Sequence, residues 1–235
     1  MKHLLKLAVT DFKLIFRDPS LRIFLVMPLL IFATVLLALP WVVESFEGAE
    51  KYVPIVLMGA TMQSSTMFGF IYSMVLINEK DIHVARVYGI LPVSKIGFVA
   101  SRLVFPFAIS TGTTFALLAV QPFYTFSLVS MALLAILCGL LAPLLTLLVC
   151  IMSKNKMEGM TWFKFINLLI SAPLAAFFIA KYTDVFGVIP THWAFQTLDR
   201  MIHGENYLMP LSIGLGFVAV LLIFIVRRFA RVHFL

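Results

Sequence analysis

The side chains best suited to chemistry in this chain are uncharged hydrogen-bonding groups set inside apolar stretches. Gln63, Ser64, Ser65 and Thr66 form one cluster, Ser110, Thr111, Thr113 and Thr114 a second, and Asn167 with Ser171 a third. In apolar surroundings such groups do one of two things. They hydrogen-bond between helices, helped here by the small-xxx-small spacing of Ala108 and Gly112, or they line a path for the polar part of a passing molecule. Residue type leaves both readings open. For the second, the candidates are Gln63, Ser64, Thr66, Thr111, Thr114 and Asn167.

Chemistry that needs ionised groups finds little to work with. The middles of the apolar stretches hold no Asp, Glu, Lys, Arg or His, whereas ion-driven carriers and proton pumps keep such residues at depth. The sequence contains no G-x-x-x-x-G-K-S/T to cradle nucleotide phosphates, and no H-E-x-x-H, C-x-x-C or G-x-S-x-G. His192, Asp199 and His203 project on one face of a predicted helix. At ~1.5 Å rise per residue the two imidazoles stand roughly 16 Å apart, too far to share a metal. No catalytic, cofactor or metal site is expected, and the chain does not read as an enzyme. Cys138 and Cys150 lie on one predicted helix, which excludes a disulfide between them. They read as small apolar fillers. Glu44, Glu47 and Glu50 read as a solvated loop rather than a cation site.

The elements that hold these groups follow from hydropathy. At 62% hydrophobic, 12% charged and a mean hydropathy of +1.04, the chain is not a water-soluble domain. Six apolar blocks, at 21–43, 53–77, 98–120, 126–152, 162–180 and 207–226, approach or exceed the ~20 residues that cross a bilayer core as a helix. Fifteen of the eighteen Lys and Arg residues fall on one side of them. The N-terminal arm carries Lys2, Lys6, Lys13, Arg17 and Arg22. The connection after the second block has Lys80, Arg86, Lys95 and Arg102, the connection after the fourth Lys154, Lys156 and Lys164, and the tail Arg227, Arg228 and Arg231. The other connections keep Lys51, Lys181 and Arg200. Positive charge marks the cytoplasmic side, so both termini are expected there, in a plasma or inner membrane. The pI near 9.6 reflects short juxtamembrane segments that favour orientation and anionic lipid heads, not a groove for nucleic acid.

Between the blocks, three segments carry structure. Leu4, Leu5, Ala8, Phe12, Ile15 and Phe16 alternate at helical spacing with Lys2, Lys6, Lys13 and Arg17, which predicts an interfacial amphipathic helix over 1–17. Nothing there has the form of a cleavable signal peptide. Pro19 breaks this helix, and Ser20 is placed to cap the first span. In 78–97, Val84, Val87, Tyr88 and Leu91 fall on one helical face, with Glu79, His83 and Arg86 opposite. Pro92 ends that helix and Ser94 caps the next. Such a helix is a handle for another protein, or a connector resting on headgroups. Over 181–206, Pro190-Thr191 starts a helix that His203-Gly204 ends, too apolar for a free loop and suited to the outer interface. No internal repeat relates the halves. The chain reads as a single membrane domain over 1–235.

The whole chain resembles the membrane-spanning subunits of type-2 ABC exporters, a permease family that includes small drug- and antibiotic-export systems. Asp11-Phe12-Lys13-Leu14-Ile15-Phe16-Arg17-Asp18-Pro19, running into a span with Pro28, is similar to that family's elbow helix and first span. Glu79-Lys80-Asp81 with Arg86-Val87-Tyr88-Gly89-Ile90-Leu91-Pro92-Val93-Ser94 resembles its cytoplasmic segment after the second span. The family's Gly-Thr-acid step is replaced here by Ile82-His83-Val84-Ala85. Ile189-Pro190-Thr191-His192-Trp193 through Leu198-Asp199-Arg200 to Gly204 resembles the outer helical segment before the sixth span.

The resemblance implies an all-α membrane protein with six transmembrane helices, an interfacial N-terminal helix, a short cytoplasmic coupling helix and an outer re-entrant or interfacial helix before the sixth span. It implies a partner ABC ATPase subunit that binds ATP and Mg, contacted through Glu79, Asp81, Arg86, Tyr88, Gly89, Leu91, Pro92 and Val93. It further implies a second permease copy or paralogue. The cargo expected from the apolar spans is a small hydrophobic or amphiphilic molecule. A stand-alone channel or facilitator, and a membrane assembly protein, are the competing readings.

Overall fold

The computed structural model describes residue 15 and residues 19–81, 95–177 and 183–233. These residues are helical throughout their regular structure, with no strand among them. Apart from Ile15, which is buried, the expected interfacial helix over 1–17 lies outside the described residues, as does most of the expected coupling helix.

The first long helix, α1 (Ile23–Ser45), is continuous but uneven. It opens as a 3-10 turn, Ile23–Val26, continues as α-helix over Met27–Ala33, widens to a π turn at Thr34–Ala38 and closes as α-helix over Leu39–Ser45. Proline explains the changes. Pro28 and Pro40 each stand in the first turn of an α segment, where a missing N–H is tolerated, and the ladder changes pitch just before each. Ser20 does not cap this span. It sits inside a helical turn, Pro19–Arg22, that runs straight into α1, with Pro19 taking the first position that proline favours. Gly48, at φ 78°, turns the chain after α1, and Glu44, Glu47 and Glu50 are all exposed.

Next comes α2 (Val53–Asp81), followed by α3 (Lys95–Val120), α4 (Leu128–Met152) and α5 (Lys156–Ser171). Ser127 caps α4 by accepting from the Ser130 amide at 3.1 Å. A reciprocal cap starts α5: Asn155 accepts from the Glu158 amide at 2.9 Å, and the Glu158 carboxylate accepts from the Lys154 amide at 2.8 Å. The expected span at 162–180 therefore begins earlier than its apolar block. It changes at Ala172 into a 3-10 segment, Ala172–Phe177, because Pro173 cannot donate into an α ladder. A second 3-10 segment, Thr183–Val188, leads to α6 (Pro190–Ile202), then Gly204 at φ 69° and α7 (Leu208–His233). The helix over 190–202 starts and stops where proline and glycine place it.

Four stretches among the described residues are long and apolar enough to cross a membrane: Ile23–Ser45, Val99–Val120, Leu128–Met152 and Leu208–Phe229. These match four of the six expected spans. Of the remaining two, α2 is long enough, but its Gln63–Thr66 cluster dilutes its apolarity, and α5 alone is 16 residues, about 24 Å.

Packing centres on α2 and α4. Ser65 meets Cys138, Gly69 meets Ala142 and Thr146, Ser73 meets Cys150, and Lys80 meets Ser153, so the two helices run parallel, side by side. By contrast α3 runs antiparallel to α2, with Thr114 near Thr61, Ser110 near Ser65 and Arg102 near Glu79. On the other flank α5 is also antiparallel to α2, Gly159 touching Ile77 and Met74. Phe70 meets Phe163 of α5 in a tilted ring contact at 4.4 Å and Phe24 of α1 edge-on at 4.8 Å. Burial follows this arrangement: 78% of the α4 span is enclosed, against 17% of α1 and 28% of α7. Leu29, Leu37, Leu168 and Val220 face outward, as lipid-facing residues do.

Candidate functional site

The chemistry-bearing side chains gather in a seam between α2, α3 and α4. The seam is built on small residues. A Cβ on Gly69 would stand 2.9 Å from the Leu145 Cβ and 3.1 Å from the Ala142 carbonyl oxygen. A Cβ on Gly139 would overlap the Thr111 hydroxyl and approach the Phe107 carbonyl oxygen at 3.2 Å. Such close approach brings short hydroxyls within reach of the next helix's backbone.

At one end Thr114 donates to the Thr61 carbonyl at 3.3 Å. One turn further, the Ser65 hydroxyl donates to the Cys138 carbonyl at 2.5 Å and lies 2.8 Å from the Ser110 hydroxyl. Ser65 has one proton, and if Cys138 takes it, Ser110 is the donor in the second bond. Thr146 shares its proton between the Ala142 and Gly69 carbonyls, at 2.9 and 3.2 Å. Cys150 points its sulfur at the Ser73 carbonyl, 3.5 Å away. At the far end, where α2 and α4 finish and α3 begins, Glu79 and Arg102 form an ion pair, both almost wholly enclosed. Beside it Lys80 donates to the Ser153 carbonyl at the C-terminus of α4, at 3.1 Å, where a cation also suits the helix dipole.

The candidate path residues differ in their surroundings. Ser64, Thr66 and Thr114 are buried, and Thr66 donates to the Gln63 carbonyl at 2.9 Å. Gln63 is half-buried. Thr111 is half-buried too, and its hydroxyl oxygen is enclosed with no hydrogen-bond partner among the described residues. Asn167 stands apart on α5, one turn past Phe163, and its side-chain oxygen is likewise enclosed and unpartnered. Of the residues expected to meet an ATPase, Glu79 lies in the seam and Asp81 closes α2. Arg86, Tyr88, Gly89, Leu91, Pro92 and Val93 lie outside the described residues.

A second concavity, about 470 Å³, opens where α6 meets the start of α7. His192, Trp193, Gln196, Arg200, Met209, Pro210 and Ile213 line it. The Trp193 indole N–H donates to the Gly187 carbonyl at 2.9 Å, and Arg200 donates to the Asn206 carbonyl at 3.1 Å. Asp199 lies 3.5 Å from the His203 imidazole. Burial raises the Asp199 carboxyl above its ordinary range, with His203 pulling the other way.

Residues 11–226 match the family described as "Fluoroquinolones export permease protein Rv2686c-like". The chain belongs to that export permease family. No curated protein and no solved structure matches it at a significant level. For an export permease, a helical bundle whose interior polarity is uncharged except at one end is a coherent interior.

Sequence reasoning missed the permease's Glu79–Arg102 pair. Both residues were visible as charges beside apolar blocks, but they sit 23 positions apart on different helices. The available signal was the acid and base at the facing ends of two consecutive apolar blocks, which antiparallel helices bring together.

Proposed function

We propose that this chain is the membrane-spanning subunit of an ATP-binding cassette exporter. It moves a small hydrophobic or amphiphilic molecule outward, using ATP hydrolysed, with Mg, by a separate ATPase subunit. The observation that carries this reading is membership of an export permease family across 11–226. That family's name supports an amphiphilic aromatic cargo of the fluoroquinolone class.

Further features support the finer parts. Parallel alignment of α2 with α4 along 65–80 favours α2 as a crossing of the same layer, and α5 with its 3-10 extension favours a crossing by Lys156–Phe177. Six crossings leave both termini on the side rich in Lys and Arg, the cytoplasm. A bundle without a P-loop or ionised groups at mid-depth fits power supplied from outside the chain. The coupling contact is the segment from Glu79 to Val93, and a second copy or paralogue completes the pathway. Of the candidate path residues, Gln63, Thr111 and Asn167 favour the path reading, because their side chains are not all taken up by neighbouring backbone.

The deciding experiment is co-purification followed by transport in inside-out vesicles. A nucleotide-binding subunit should be retained, and uptake of a fluorescent fluoroquinolone should require both that subunit and ATP. Uphill transport by the chain alone, or diffusive leak indifferent to ATP, would overturn the reading.

A further inference from the structure

The end of the bundle where α2 finishes is tied to its neighbours differently from the rest of the seam. Elsewhere the helices meet through neutral hydroxyl–carbonyl bonds; here the link is an ion pair. Glu79 is 6% exposed and Arg102 2% exposed, and the guanidinium donates directly to the carboxylate. One residue on, Lys80 holds the last carbonyl of α4 through Ser153, whose own hydroxyl donates to the Val149 carbonyl at 2.6 Å. One turn back, Ile77 and Met74 pack on Gly159, where an added Cβ would lie 2.7 and 2.8 Å from them. Consecutive turns of α2 are thus fastened to α3, α4 and α5. No link of this kind among the described residues ties this end of α2 to α7.

A buried charge pair is a directional link. Taken from water, each charge depends on its partner being in place, so separating them is strongly opposed and sliding them is not tolerated. Neutral hydroxyl bonds shift more readily between nearby carbonyls. Resting on the ABC-exporter reading, we infer that Glu79 is a positioning residue. Enclosed in the bundle, it drops out of the coupling contact proposed above, which then runs from Lys80 to Val93. Through Arg102 it locks the end of α2 onto α3, so that a displacement arriving at the 82–94 connection moves α2, α3, α4 and α5 together. The same pair joins the two helices that flank that connection, since Glu79 lies near the end of α2 and Arg102 two turns into α3.

The test uses the complete permease with its ATPase subunit, in wild type, Glu79→Gln, Arg102→Gln and the reversed double variant Glu79→Arg/Arg102→Glu. Two measurements are made: cargo-stimulated ATP hydrolysis, and amide hydrogen exchange across 74–81 and 95–105 without nucleotide. Each single variant should lose about tenfold in stimulated hydrolysis, the order of a coupling term between sites, while the ATPase still co-purifies. In those variants exchange should rise in both segments together. The reversed pair should recover protection and stimulation. Unchanged exchange in Glu79→Gln, or loss of ATPase binding in place of loss of stimulation, would overturn the inference. So would failure of the reversed pair to recover either quantity. If exchange responds as expected but wild type shows no ATP-linked transport, the link stands and the exporter reading is the part that fails.

Discussion

Thr111 and Gly139 illustrate how one atom decides between packing and passage. The glycine has no side chain because the Thr111 hydroxyl and the Phe107 backbone occupy that space. Gly139→Ala should destabilise the purified permease by about 1–3 kcal/mol, the usual range for overpacking, read as a lower unfolding midpoint in detergent. Thr111→Ala removes a buried oxygen that has no partner, so stability should stay within about 0.5 kcal/mol of wild type. If the hydroxyl meets cargo, the same variant should weaken export at unchanged stability. Efflux and melting measured on one preparation separate the two roles.

Asp199 gives a prediction with a definite sign. Burial raises its carboxyl above the ordinary aspartate value, only partly offset by His203. The folded state therefore holds that proton more tightly than the unfolded chain does. The associated stability is fully present below the ordinary value and is lost as pH climbs through the raised one. Asp199→Asn should flatten this slope and melt slightly above wild type at neutral pH, with the difference vanishing in acid. Melting curves from pH 3 to 7, in roughly one-unit steps, would expose an opposite slope if the sign were wrong.

At the scale of elements, α6 is held at its start. Thr191 donates to the Ile170 carbonyl at 2.5 Å, tying the first turn of α6 to the end of α5. Gly214 of α7 lies so close that an added Cβ would come within 2.8 Å of the Trp193 Cβ. Thr191→Val should cost about 1 kcal/mol and speed proteolysis within 183–188, measured by limited digestion. Loss of the cap in Asn155→Ala should cost a similar ~1 kcal/mol at the start of α5.

Elements also mark what was legible in the sequence. Pro190 and Gly204 bracket α6 because each acts on its own backbone, through a missing N–H or a positive φ. Those signals are local, and they read correctly. The early start of α5 was equally local, in Asn155 and Glu158, but the apolar block at 162–180 drew attention past it. The π turn of α1 was not legible, since proline reveals that the ladder is interrupted and not which pitch replaces it. Helix pairing was the least accessible. Ser65 against Ser110 and Cys138, and Glu79 against Arg102, depend on how each helix is rotated in the bundle. Composition signalled that a polar cluster existed but left its partners open.

For the whole molecule, the charge bias and the helix directions make one topological statement. Cysteine placed at the exposed Glu47 should react with an impermeant thiol reagent from outside the cell, and cysteine placed at the exposed Lys154 only after the inner side is opened. Cys138 and Cys150 are buried and should give no background labelling in the native protein. Reaction of both engineered positions from the same side would refute the alternation of spans.

The enclosure of α4 has a consequence for how the protein is made. With a mean hydropathy of 2.8 over its span, α4 shares the apolar character of α1 and α7, yet in the finished fold far less of its surface is left facing lipid than of theirs. Its greasiness is therefore spent mainly during biogenesis, when the nascent segment must leave the translocon before its neighbours have closed around it. A polar replacement at Ala135 or Leu147, both sealed in the interior, would be felt twice: at entry into the bilayer, and again at assembly.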